Sequence, residues 1–163
     1  MSSYPIETIR DLIDGNLSWF ETKSIMSNFK DGDRFFKYID ILQSRVPWSK
    51  QILLPIGENL YIVQSDNERI VKCSCGQEFG DYRQNWKLAA LIYVRNSEES
   101  IAEIYPGRFA CNPTWMEIRE FICPGCAKML EVEAAPPGYP ITFDFLPDLE
   151  GFYRDWLNAP LPK

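Results

Sequence analysis

Three features of the sequence predict an α+β chain, with helices first and antiparallel strands after. Residues 1–45 repeat apolar side chains at helical spacing. Residues 46–134 break into short β-type segments that close on two cysteine pairs, and residues 135–163 are rich in proline and aromatics. These spans are expected to be a helical N-terminal segment, a small antiparallel β domain and an extended tail ending in a short helix. With 163 residues, 45% of them hydrophobic, the chain can bury a core of its own.

The helical segment reads in three parts. Ser3 is placed to cap and Pro5 suits a first turn, after which Ile6, Ile9, Leu12 and Ile13 form a helical stripe. Asp14-Gly15-Asn16 breaks it. Leu17, Phe20, Ser24 and Phe29 fit a second, weaker helix ending near Lys30-Asp31-Gly32. Asp33 then caps a third, with Phe35, Phe36, Ile39 and Leu42 on one side. Helices of this kind are packing elements.

From Val46 the pattern turns to strands, punctuated by Pro47 and Pro55. Leu60-Tyr61-Ile62-Val63, a turn over Ser65 to Glu68, and Arg69-Ile70-Val71 make a hairpin that runs into Cys73. Gly80 to Lys87 mixes polar and aromatic residues and reads as a capped loop. Leu88 to Val94 reads as a buried strand or a short helix, and Glu98 to Pro113 as a loop excursion around Ile104-Tyr105-Pro106-Gly107. Glu117 to Ile122 and Met129 to Glu133 both read as strands. Glu131 and Glu133 alternate around Val132, the pattern of a solvated strand face. In the tail, prolines 136, 137, 140 and 147 remove backbone donors and favour extended structure that can drape over a neighbouring subunit. Leu149 to Leu157, with Phe152, Tyr153 and Trp156, closes the chain as a short amphipathic helix.

The most specific chemical signal is the pair of cysteine pairs, Lys72-Cys73-Ser74-Cys75-Gly76 and Cys123-Pro124-Gly125-Cys126. Two tight turns that each deliver two sulfurs can build a tetrahedral four-thiolate site, with each sulfur about 2.3 Å from one Zn²⁺. Gly76 and Gly125 suit such turns, and Pro124 stiffens the second. The β domain is therefore expected to be zinc-ribbon-like, with Cys73, Cys75, Cys123 and Cys126 as structural ligands. Four thiolates fill the shell and leave no place for water or substrate. Iron makes the same ligand demand and stays open. A disulfide framework is disfavoured because the chain starts Met1-Ser2-Ser3-Tyr4 without a charged-then-apolar leader. A redox pair at Cys123 and Cys126 would need a helix N-terminus, and strands flank it instead. Cys111 reads as a small loop residue.

Composition narrows the function. The net charge of −6 spreads 17 basic residues among 23 acidic ones, unlike the clustered cations that bind nucleic acid. No apolar run approaches the roughly 18 residues of a membrane span, so a soluble, cytoplasmic protein is expected. There is no histidine, which removes the commonest general base. No glycine-rich phosphate loop is present. Asp144, Asp148, Asp155, Glu131 and Glu133 lack a base partner or a basic clamp. The aromatic content of 14% suits burial against other chains.

These residues also carry a resemblance. Lys72 to Lys87, Trp115 to Cys126, Leu130-Glu131-Val132-Glu133, Pro137-Gly138-Tyr139-Pro140, Asp144 to Asp148 and Phe152-Tyr153 together resemble the small gamma subunits of acetone and acetophenone carboxylases. The likeness runs from about residue 33 onward. It implies a small zinc-bearing, non-catalytic subunit of a biotin-independent, ATP-dependent ketone carboxylase. Such enzymes join a ketone and bicarbonate into a β-keto acid. The resemblance also implies that ATP, a divalent cation and the substrate belong to larger, hydantoinase-like subunits of a hetero-oligomer. It assigns this chain no catalytic residue. The competing reading is a free-standing zinc-ribbon adaptor.

Overall fold

The computed structural model describes residues 4–28 and 32–162. The chain is α+β, as the sequence predicts. Helices α1 (Ile6–Asp14), α2 (Trp19–Ser27) and α3 (Arg34–Ser44) come first. Gly15, in the left-handed region, ends α1 where the sequence breaks. Ser18 and Glu21 form a reciprocal capping box on α2. That helix buries Ile25 and leaves Phe20 almost bare, so its expected stripe is displaced. Ser3, Phe29, Lys30 and Asp31 lie outside the described residues.

Among the described residues, seven strands make two antiparallel sheets. β1 (Ile52–Gly57), β2 (Leu60–Ser65), β3 (Glu68–Cys73) and β4 (Glu78–Asp81) form the first sheet, paired in that order. β5 (Leu91–Arg95), β6 (Glu117–Ile122) and β7 (Met129–Ala135) form the second, again in sequence order. Between β4 and β5 lies a 3-10 turn (Trp86–Ala89). Between β5 and β6 the chain makes the short helix α4 (Glu98–Ala102) and a 3-10 turn (Gly107–Phe109) within the expected excursion.

The continuous apolar run at Leu60–Val63 exists because β2 is covered on both faces. Leu60 and Ile62 join a core with Leu53, Val71, Phe79, Trp86 and Phe121, which draws on both sheets. Tyr61 and Val63 point the other way, against Ile39 and Leu42 of α3 together with Ile52 and Ile70. The first sheet is thus sandwiched between α3 and the second sheet. Phe79, Trp86 and Phe121 meet edge to face with centroids 5.9 and 6.1 Å apart, so the mixed polar-aromatic loop supplies a core tryptophan.

The segment 136–148 has no regular structure. Beyond it, a helical turn (α5, Leu149–Gly151) passes into a π-helix (Phe152–Trp156), and the Tyr153 hydroxyl donates to Leu53 O at 2.8 Å. Two readings need correction. Leu88 to Val94 is a turn and a strand, but not buried: Leu88, Leu91, Ile92 and Tyr93 are exposed, because nothing among the described residues covers them. Glu131 and Glu133 do not line a solvated face. They turn inward to Lys87, whose side chain is 1% exposed.

Candidate metal centre

Both cysteine turns sit where a strand reverses. The first joins β3 to β4, with Cys73 N donating to Gln77 O (2.8 Å) and Gly76 N to Cys73 O (2.9 Å). Gly76 holds φ at +109°, a conformation that favours glycine. The second joins β6 to β7, with Cys123 N donating to Lys128 O (2.8 Å) and Ala127 N to Cys123 O (2.9 Å). Gly125 is needed for space rather than for its φ. A Cβ there would lie 3.1 Å from Gln77 Cβ and 3.4 Å from Cys75 Sγ.

The turns face each other across the two sheets. The sulfurs of Cys73, Cys75, Cys123 and Cys126 all lie within 4.8 Å of one another. Cys73 and Cys126 Sγ are 3.8 Å apart, and Cys75 and Cys123 Sγ 3.7 Å. A tetrahedron of sulfurs, each about 2.3 Å from a central ion, has edges of about 3.8 Å, whereas a disulfide needs about 2.05 Å. The donor set and its spacing therefore fit one four-thiolate metal ion. Cys111 stands apart, its thiol directed at Met116 O.

Charge in the cluster points the same way. Burial pushes the Cys73 thiol up to about 12 and also raises Cys123, both buried sulfurs. At Cys126 a backbone hydrogen bond from Lys128 holds the thiol below its ordinary value. Buried thiols resist ionising alone, and a bound dication would supply the missing compensation.

A ring of side chains that the sequence reading did not single out steadies the turns. Trp48 Nε1 donates to Ser74 O at 3.2 Å. Asn59 accepts through its side chain from Ser74 Oγ (3.0 Å) and from Lys128 Nζ (3.0 Å), while Lys128 also reaches Ser74 Oγ at 3.1 Å. Lys128 follows the second turn and grips the first, so the turns are tied by protein as well as by sulfur. Nothing in sequence spacing marks Trp48 or Asn59 as partners of a turn met only after folding.

The acidic residues weighed as chemical groups each have a structural partner. Lys87 Nζ pairs with Glu131, with Glu133 (3.3 Å) and with Asp144 (3.1 Å). Arg119 bridges Glu117 (2.7 Å) and Glu133 (3.0 Å) and donates to Tyr139 O. Asp148 accepts from Gly151 N (2.9 Å), and Asp155 pairs with Arg154. Burial works against the Lys87 ammonium, but Glu131, Asp144 and Glu133 more than reverse it, so its pKa is raised. This network ties the tail to the second sheet.

Comparison with known proteins agrees with the resemblance. A family model described as acetone carboxylase gamma subunit matches residues 46–157. The acetone carboxylase gamma subunit of Xanthobacter autotrophicus is 43% identical over 163 residues, covering 99% of this chain and 97% of that protein. The acetophenone carboxylase beta subunit of Aromatoleum aromaticum is 35% identical over 91 residues, covering 55% of this chain and 67% of that protein. No helix among the described residues is long and apolar enough to cross a membrane.

Proposed function

The chain belongs to the acetone carboxylase gamma subunit family, and from that membership we propose that it serves a multi-subunit ketone carboxylase as a zinc-bearing subunit with no chemistry of its own. The observation that carries the metal half of this reading is the four-sulfur cluster, all within 4.8 Å of one another, with two of its separations at 3.7 and 3.8 Å. In it Cys73, Cys75, Cys123 and Cys126 hold Zn²⁺, which contributes on the order of 10 kcal/mol of binding free energy to a loop-rich fold. Four thiolates complete the coordination shell, and Glu131, Glu133, Asp144, Asp148 and Asp155 are held in ion pairs or caps. The role left to the chain is to carry surface for other subunits. Those larger, hydantoinase-like subunits would bind ATP and a divalent cation and would join acetone or acetophenone to bicarbonate, in the cytoplasm.

The test is elemental analysis of the native assembly together with mass spectrometry of its component chains. One zinc per copy of this chain is expected, falling below half in Cys123→Ser, with carboxylase activity only when the larger chains are present. Iron or no metal at the sulfurs would overturn the metal assignment. A lone 19.0 kDa species in native extracts would overturn the subunit reading. Carboxylation by the isolated chain would overturn the non-catalytic one.

A further inference from the structure

The two sheets end in four strand edges, and three of them are protected. β1 contains Pro55 and irregular register against β2. β4 is only four residues long, with an acid at each end. β7 carries Glu131 and Glu133 and a register shift. Such devices stop an edge from recruiting another strand. β5 lacks the proline and the register shift, and its one charge, Arg95, lies at its last position. It runs in unbroken register against β6, has no proline or lysine, and among the described residues no strand pairs with its outer side.

Its side chains are bare as well. Leu91, Ile92 and Tyr93 are 57%, 36% and 45% exposed. Successive residues of a strand point to opposite faces, so β5 is open on both faces and along its backbone. A helix or a flat surface would cover one face only. A strand laid alongside continues both faces and satisfies the edge amides and carbonyls. Arg95, the one charged residue of β5, is already held by Glu120 (2.9 Å) and Glu103 (2.6 Å), so the edge offers no free charge. Across the sheet from Tyr93, beyond Glu120, exposed Val132 extends the apolar face.

We propose that β5 is a docking edge that receives an extended, apolar, uncharged strand from another subunit of the carboxylase. The inference rests on the reading of this chain as a carboxylase subunit. The cysteine cluster lies at its root: Leu91 stands opposite Ile122, the residue before Cys123. The turn that holds the sulfurs therefore also holds the docking edge in place.

The test is capture of the other subunits by the tagged, full-length chain after co-expression. Leu91→Lys with Tyr93→Lys places on the edge the cation that natural edges use to refuse a partner. Captured subunit is expected to fall about tenfold or more, as for a charge desolvated without a partner. The metal content and melting temperature of the isolated chain should not change. Trp115→Lys, at a still barer site outside β5, should leave capture intact. If the double lysine variant melts early, Leu91→Ser with Tyr93→Thr must show the same loss in a chain that folds. Undiminished capture by the folded variants would overturn the proposal, and so would an equal loss from Trp115→Lys. An isolated wild-type dimer that the lysines convert to monomer would overturn it in favour of a second copy of this chain. Failure of the wild-type chain to capture any subunit would instead remove the carboxylase reading beneath it.

Discussion

Replacing Lys87 with methionine is the sharpest test of the buried ion cluster. The variant keeps an unbranched apolar stem of nearly the same length and removes the ammonium, which sits 5.2 Å over the Phe121 ring. It deletes the only charge on a side chain that is 1% exposed and faces Glu131, Glu133 and Asp144. Breaking a buried pair from one side costs about 3–5 kcal/mol. Here the cost is smaller. The Asp144 side chain is more than half exposed and Glu131 about a third, so water recovers part of their solvation. Glu133 keeps Arg119 at 3.0 Å. A loss of about 2 kcal/mol at pH 7 follows, or a melting temperature lower by about 4–8 °C for a chain of this size. Denaturant and thermal melts of the metal-loaded chain measure it. Lys87→Met with Glu131→Gln should recover part of the deficit, because it removes one of the carboxylates left without its cation. Because the Lys87 pKa is raised, its contribution in the wild type is fully present below the unfolded value and is lost only as pH climbs through the folded one. A Lys87→Met chain as stable as the wild type at pH 7 would refute the account of the cluster.

Gly125→Ala should cost about 1 kcal/mol and loosen metal binding, because the new methyl must displace Gln77, 3.1 Å away, beside the Cys75 sulfur; competition with a chromophoric chelator reads the affinity. Tyr153→Phe removes the buried hydrogen bond to Leu53 O and should cost about 1–2 kcal/mol. Burial pushes the Tyr153 hydroxyl up to about 12, so its contribution holds below its unfolded value near pH 10 and fades as pH rises toward 12. Alkaline melts of the phenylalanine variant should accordingly fall less steeply than those of the wild type.

The gathering of the four sulfurs was legible because two close cysteine pairs in tight turns carry a local spacing and turn chemistry. Each pair had to lie in its own reversal, and Gly76 and Gly125 sit where those reversals need them. β2, β6 and β7 were legible from apolar runs and alternation. β4 was not, since Glu-Phe-Gly-Asp is too short to show a period. The misread elements share one cause, which is that burial depends on partners remote in sequence. Glu131 and Glu133 alternate as a wet face does, yet a lysine from another part of the chain draws them in. Leu88 to Val94 is apolar enough for a core, yet in this chain it meets solvent. Hydrophobicity reports that a residue prefers cover without saying whose.

Because β2 is apolar toward both sheet and helix, sliding it by one residue against β3 would exchange Leu60 and Ile62 for Tyr61 and Val63 and would bury an almost equal oily surface. Hydrophobicity alone therefore sets no reading frame for this hairpin. Its two ends do: a two-residue reversal, with Asp66 at φ 51°, fixes one, and Cys73, opposite Leu60, fixes the other. A slipped pairing would carry Cys73 out of reach of the three remaining sulfurs, so the cluster works as a ruler that accepts a single alignment of the strands it joins.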